Sequence, residues 1–538
     1  MKLYRKLIVL TTLISSLFVV SSCSEDNLDV PLYGGREDKE FYQNLDEINE
    51  SLTACYYFLK QAWNEMSLEL MFLNDVVSDD CDKGGQSSSD IIDLYHLETF
   101  NINTTNSKVS NFWSMAYKGI YQINVLLDKT AEYRSSHPGL SETDEKLLTR
   151  YENEAKWLRG LWYFNLAYFW GDVPLFLHAE KPADVYKART PIAEVWEQVI
   201  KDFTAATNLP KRSEYPADDL GRVTSGAAYA MLGRTYWFMR DFDNAKKMLD
   251  VLVTGAQKGE YMLDPDFATQ WLNHNTNVRE SIFEIQYKSN GKDWNMSTGW
   301  NGVWFIPNCD GGYGTHLPTQ QLLDDFDPED PRITWTFIKQ GDKFVDNDHK
   351  ISNSESSTRY FDRKHFVPIS ETLNAGSPVF PQDLQMTVYV IRYADVLLMY
   401  AESCLETGDI GNAKIYLNNV RQRARKSSPL DPKREIQVII PKTKPTSLPD
   451  ITTGDPQEIR KAIWRERRCE LACEGLRRMD LIQQKRYGEV MTAYYNNSTI
   501  SKENPDKGKY YTKEKELFPI PQGDIDLSRG MLVQNPGY

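Results

Sequence analysis

The chain lacks the short motifs that announce catalysis. HExxH, GxSxG and a phosphate-cradling glycine loop are all missing, and the 7 histidines are scattered. Metalloprotease, serine-hydrolase and nucleotide-hydrolysing chemistry therefore have no foothold. Acids are abundant, so a glycosidase pair stays open; only carboxylates roughly 5–9.5 Å apart in the fold would reveal one. Basic charge is scarce: 62 Lys and Arg face 76 Asp and Glu, a net charge of −14. That disfavours nucleic acid, whose binding rests on cations neutralising phosphates, and other polyanions with it. Cysteines number only 7 and are irregularly spaced, unlike a small disulfide scaffold. Long apolar runs are absent except for Leu7 to Val20, which falls short of the ~20 residues that span a bilayer.

That run has a clear meaning. Lys2, Arg5 and Lys6 precede it and Ser21-Ser22-Cys23 follow it, the order of a secretory signal. A cysteine directly after small residues is the lipobox arrangement, so Cys23 is expected to carry a lipid. Residues 1–22 read as the signal peptide, and 23–35 as the lipidated cysteine and a flexible acidic tether (Glu25, Asp26, Asp29). A plain secreted protein is the alternative. Cleavage removes three cations and no acid, taking the net charge from −14 to −17. Of the other cysteines, Cys469 and Cys473 lie four apart on an expected helix. Metal ligation would need further ligands, and no paired histidine is near in sequence, so both read as core thiols and no metal site is expected.

What the chain does have is helical repetition. From Ile391 to Arg425, Tyr393, Val396, Leu397, Tyr400 and Cys404 share one helical face. Gly408-Asp409 breaks the pattern, and Ala413, Tyr416, Leu417 and Val420 restart it. Ala227 to Val253 repeats the plan: Gly233 matches Ala401, Ala245 matches Ala413, and Leu249 matches Leu417. Small residues mark where two helices must approach closely. Tyr229, Gly233, Tyr236, Phe242 and Ala245 fit the tetratricopeptide pattern. Such hairpins cannot bury their apolar face alone, so they must stack, unless these are two unrelated amphipathic hairpins.

Taken in order, the periodicity predicts helices over Asp46–Met71, Phe112–Lys129, Ser141–Phe169, from Thr190-Pro191 to about Asn208, and from Pro456 to Arg486. Asp75 to Asp90 reads as a solvated polar loop; Asp80, Asp82 and Gly85 only faintly suggest calcium, because Gly84 and Ile91 stand where oxygen ligands belong. From Tyr261 to Tyr389 the helical period fades and Gly, Asn, Asp and Pro crowd in, together with Trp271, Trp294, Trp300, Trp304, Tyr313 and Trp335. Long loops rich in aromatics are functional more readily than disordered. The chain then ends in extended, proline-bounded segments from Phe518 to Tyr538.

Several stretches in the right order resemble the SusD/RagB family of surface lipoproteins. They are the lipobox at Cys23, FWSMAYKGIYQINVLL (112–127), YFNLAYFWGDVPLF (163–176), RYADVLLMYAES (392–403), the helix IWRERRCELACEGLRRMDLIQ (463–483) and the ending LFPIPQGDIDLSRGMLVQNPGY (517–538). The resemblance implies a mostly α fold: about four tetratricopeptide-like helical pairs carrying an irregular, loop-rich subdomain. The expected organisation is a SusD-like helical scaffold at 36–260, an irregular ligand-binding subdomain at 261–390, and a C-terminal scaffold portion at 391–538. It also implies a binding protein with no catalytic residues and no cofactor, lipid-anchored in the outer membrane and facing outward. Such a protein would capture oligosaccharides and deliver them to a SusC-like TonB-dependent transporter. A peptide-binding RagB-like import lipoprotein is the alternative, and a surface glycoside hydrolase the remote one. The signature charges from Glu466 to Asp480 read as structural, buried Arg–carboxylate pairs.

The ligand site rests on chemistry instead. Sugars offer C–H faces that flat aromatics cover and hydroxyl edges that Asp and Asn bind. The best cluster is Trp294, Asn295, Trp300, Asn301 and Trp304, with Asp75 and Tyr95-His96 as partners from the first insertion. Packing of these tryptophans into the subdomain's own core is the competing reading.

Overall fold

The computed structural model describes residues 41–60, 66–181, 185–272, 275–287, 302–308, 312–342, 356–366, 386–431, 448–496 and 504–538. Twelve helices are labelled here: α1 Leu45–Tyr57, α2 Ile92–Thr99, α3 Ser107–Ser136, α4 Glu142–Trp170, α5 Ile192–Ala206, α6 Ser225–Phe238, α7 Phe242–Val253, α8 Tyr393–Glu406, α9 Ile410–Lys426, α10 Pro456–Glu470, α11 Arg477–Gln483 and α12 Tyr487–Asn496. The strands are β1 Cys81–Gly84, β2 Ser281–Tyr287, β3 Thr315–Pro318, β4 Phe337–Lys339, β5 Tyr360–Asp362 and β6 Met386–Arg392.

Helices α3 to α9 pack each on the next, and the packing of α7 on α8 bridges the long insertion between them. This is the mostly α, tetratricopeptide-like scaffold expected. Polar caps set the helix starts: Ser141, Thr224, Asp241, Asp409 and Asp455 each accept a backbone N–H of the first turn. The matched small residues work as the sequence suggests. A Cβ on Gly233 would come within 2.3 Å of Leu249, so α6 and α7 touch only because that side chain is missing. Ala401, Ala413, Leu249 and Leu417 are all fully buried. The α4 stripe Trp157, Leu161, Phe164 and Tyr168 is core as well.

Three readings need correction. The first helix stops at Tyr57, where Phe58–Lys60 tightens into a 3-10 turn. The stretch Asp75 to Lys83 is interior rather than solvated: Asp75, Asp79, Asp80, Asp82 and Lys83 are all buried. Its acids are affordable there because arginines meet them, Arg477 at 2.8 Å from Asp79 and Arg468 at 2.8 Å from Asp80. Asp80 thereby serves an ion pair rather than calcium. Finally, the helix from Pro456 does not run through to Arg486. Cys473 (φ 63) and Gly475 (φ 70) turn left-handed between α10 and α11, and the Gly475 N–H donates to Asp75 at 2.8 Å. Cys469 and Cys473 therefore do not share a helical face.

The signature charges are buried and paired. Arg467 reaches Asp480 at 2.8 Å and Asp395 at 2.7 Å; Glu466 accepts from Arg332 at 2.6 Å. Arg478 departs from the expectation. Its guanidinium lies 4.8 Å from the ring centroids of both Tyr168 and Phe518 and donates to the Glu516 carbonyl, so rings and a carbonyl hold this cation.

Between Tyr261 and Tyr393 the described residues hold strands and short helical turns. Three two-stranded antiparallel sheets form, β1–β3, β2–β6 and β4–β5, of which only β1 comes from the earlier part of the chain. The first of these places the site, because it ties the insertion after α1 to the segment after Trp304.

Candidate functional site

In the β1–β3 ladder Cys81 faces Pro318, Asp82 faces Leu317 and Gly84 faces Thr315. Both insertions singled out by sequence therefore lie side by side. The Thr315 hydroxyl donates to the Trp304 carbonyl at 2.7 Å, and the Tyr313 N–H to the Val303 carbonyl at 2.9 Å. These bonds fold the short helix Gly302–Phe305 back onto β3. Trp304 is partly buried. Its ring stands edge-on to Phe72 (5.5 Å) and to Tyr313 (5.1 Å), and the Lys108 ammonium lies 4.7 Å from its centroid. Lys108 is in turn 3.3 Å from buried Glu69, whose carboxyl is pushed up by burial against the pull of Lys108. Tyr313 is 41% exposed and forms the outer layer of this stack. The geometry gives a supported aromatic face with a cation behind it.

The other sequence candidates fall differently. Trp294, Asn295, Trp300 and Asn301 lie outside the described residues. Asp75 lies between the two insertions with its side chain turned inward, away from any surface ligand. It is 1% exposed, and its carboxylate accepts from His316 Nε2 at 3.1 Å and from the N–H groups of Gly475 and Arg477 at 2.8 and 3.3 Å. Tyr95 and His96 stand on α2; the Tyr95 hydroxyl donates to Asp506 of the C-terminal segment at 2.7 Å, and His96 lies 3.9 Å from Asp93 on its own helix.

Sequence reading passed over two features. One is a cleft of about 300 Å³ between α3, the strand-like segment after α4 and the short C-terminal helix Gln522–Leu527; Trp113, Tyr117, Tyr121, Phe176, Tyr186 and Asp524 line it. Tyr121 is 53% exposed there. Trp113, Tyr117 and Tyr121 are spaced by four along one helix, a signal masked by the stronger apolar stripe beside it. The second is His316, 0% exposed and flanked by Asp75 and by Asp362 at 2.9 Å. Burial works against its charge, yet the hydrogen bonds to Asp362 and Asp75 raise its pKa to about 9.

Among the described residues no helix is long and apolar enough to cross a membrane. A family model described as "SusD family" matches residues 279–538, and one described as "Starch-binding associating with outer membrane" matches 38–237. A SusD-like protein of Bacteroides ovatus is 24% identical, covering 97% of this chain and 93% of its own. The fold matches a SusD homolog from Bacteroides thetaiotaomicron with a TM-score of 0.76 at 24% identity, over 94% of this chain and 99% of that one. It also matches surface glycan-binding protein A from the same species, solved with laminarihexaose, with a TM-score of 0.71 at 21% identity over 91% and 99% of the two chains. The two models divide nearly the whole described chain between them, in the order the signature stretches suggest: this chain belongs to the SusD family.

Proposed function

We propose that this chain captures oligosaccharides at the cell surface and hands them to a TonB-dependent outer-membrane transporter of the SusC kind, without catalysing a reaction. The observation that carries the reading is the exposed Tyr313 ring backed by Trp304 at the junction of the two insertions. A flat apolar face held rigid by a second ring suits the C–H face of a sugar. Trp294, Asn295, Trp300 and Asn301 belong to the proposed site on sequence grounds. Likeness to a protein solved with laminarihexaose supports an oligosaccharide over other ligands.

Tyr313 and Trp304 separate platform from support. Stacking is worth about 1–3 kcal/mol by analogy with bases on aromatics, so Tyr313→Ala should weaken binding roughly five- to a hundredfold at an unchanged melting temperature. Trp304→Ala removes a ring packed on Phe72 and Lys108, and should also cost stability, about 3 kcal/mol. Calorimetry against laminarihexaose and a panel of other oligosaccharides, with melting curves, reads both. If Tyr313→Ala binds normally while Tyr121→Ala does not, the ligand sits in the α3 cleft instead.

The anchor in this proposal is the lipid on Cys23. Cys23→Ala should abolish incorporation of radiolabelled palmitate and leave the protein uncut or released from membranes; label in the variant would contradict the anchor.

A further inference from the structure

Sequence spacing finds no histidine beside the thiols at 469 and 473. The fold supplies one. Beyond the end of α10, Cys473 leaves the helix with φ 63 and meets Cys81 of β1, its Sγ 3.8 Å away across 392 residues of chain. Donor atoms of Asp75, Cys81 and His316 all lie within 4.8 Å of one another, and all three residues are buried. We propose that Asp75, Cys81, His316 and Cys473 form a structural zinc site that fastens the first insertion and β3 to the turn between α10 and α11.

Three features of the geometry point to zinc. First, two thiolates bound about 2.3 Å from one tetrahedral zinc stand about 3.8 Å apart, the separation of the two sulfurs here. Second, the histidine is oriented as a ligand. Its Nδ1 faces Asp362 at 2.9 Å, which fixes the tautomer and leaves Nε2 directed at Asp75 and Cys81, the carboxylate–histidine arrangement that sets up metal-binding imidazoles. Asp362 is itself held by His365 Nδ1 at 2.7 Å. Third, the carboxylate is held in place by two backbone N–H groups, that of Gly475 on the oxygen facing His316 and that of Arg477 on the other oxygen. Two sulfurs, an imidazole and a carboxylate select zinc over calcium or magnesium, which take oxygen alone. Zinc would take the position of the hydrogen between His316 Nε2 and Asp75, and binding would release that proton and those of the thiols to solvent. Burial on all sides implies that the ion enters as the chain folds.

The test is made on the full chain, extracted from membranes in mild detergent and kept free of chelators. Elemental analysis should find about one zinc per chain that survives dialysis. Unfolding in the presence of chelator and refolding with cobalt(II) alone should give a near-ultraviolet thiolate-to-cobalt charge-transfer band, and refolding without any metal should lower the melting temperature. Cys473→Ser should lose the charge-transfer intensity of one thiolate and most of the zinc, and His316→Gln most of the zinc. Should these variants fail to fold, the cobalt spectrum of the unaltered chain still decides. A chain with no retained zinc and no thiolate–cobalt band overturns the proposal, as does a Cys81–Cys473 disulfide found by mass spectrometry of the unreduced protein.

Discussion

Glu470→Ala should cost about 3–5 kcal/mol of unfolding free energy, the range for removing one partner of a buried ion pair. Glu470 is fully buried at the end of α10. Its carboxylate accepts from Arg332 at 2.8 Å, from Arg392 at 2.7 Å and from Arg423. Arg332 precedes β4, Arg392 ends β6 and Arg423 lies on α9, so one carboxylate joins three segments far apart in sequence. Guanidiniums beside it hold its pKa well below the usual carboxylate range, against the opposing effect of burial. The partners do not leave with the charge: Arg421 and Lys364 also face this network, so five cations would meet only the four carboxylates of Glu466, Asp330, Glu280 and Glu474. Glu470→Gln should cost nearly as much, because one edge of the amide presents donors to donors. An equally close pair at the surface gives the control. Lys146 and Glu142 approach to 2.6 Å but are 74% and 84% exposed, so Lys146→Ala should cost less than about 0.5 kcal/mol. Chemical denaturation of the three variants measures the contrast. A Glu470→Ala protein within about 1 kcal/mol of the parent would show that solvent enters the network, or that it rearranges, and the argument from burial would fail.

This network also shows what a sequence makes legible. Glu466, Arg467, Glu470 and Asp480 could be read as paired because they stand in the signature order of the family the chain resembles. Their partners could not: Arg332, Arg392 and Arg423 lie 47 to 138 residues away from Glu470, and no local pattern joins them. The helical pairs were legible because Gly233 and Leu249 satisfy a contact at short range that periodicity encodes. Asp75 to Lys83 was misread for the complementary reason. A run of Ser, Asp, Lys and Gly has the composition of a solvated loop, and only distant arginines make its burial affordable. Position between two insertions was legible for Asp75, but orientation was not, because the Gly475 N–H that turns it inward is 400 residues away. Trp304 was legible as an aromatic of this region but not its depth: the ring is partly buried, and Tyr313 is the exposed member of the stack.

Stability should be higher in mild acid than at pH 8, and Glu98→Gln should remove part of that difference. Glu98, on α2, is 4% exposed. Burial raises its pKa most, the nearby Asp82 carboxylate adds to this, and Lys507 and Lys83 oppose; the result is about 7 against an ordinary 4.5. Asp342 behaves alike, raised by burial to about 7 from 3.8 although the Lys339 N–H donates to it at 2.7 Å. For an acid whose folded pKa exceeds its unfolded one, the folded state binds more protons between the two values, so unfolding free energy falls as pH rises through that window. The contribution is fully present below about 4 and lost by about 7 to 8. At about 1.4 kcal/mol per unit, Glu98 alone accounts for about 3 kcal/mol. Glu470, Glu474 and Asp395 have the opposite sign, with pKa values lowered by their arginines: they stabilise above the ordinary carboxylate range, and that support disappears as pH falls below it. The two sets place the stability maximum near pH 5. Glutamine at 98 keeps an oxygen to accept from the Lys83 N–H (2.8 Å) and the Asn504 amide (3.0 Å), as the carboxyl does now. Glu98→Gln should therefore match the parent at pH 5 and exceed it by up to about 3 kcal/mol at pH 8. Denaturant titrations at the two pH values measure both quantities, and equal stabilities of variant and parent at pH 8 would contradict the assignment of Glu98 as a strained buried carboxylate.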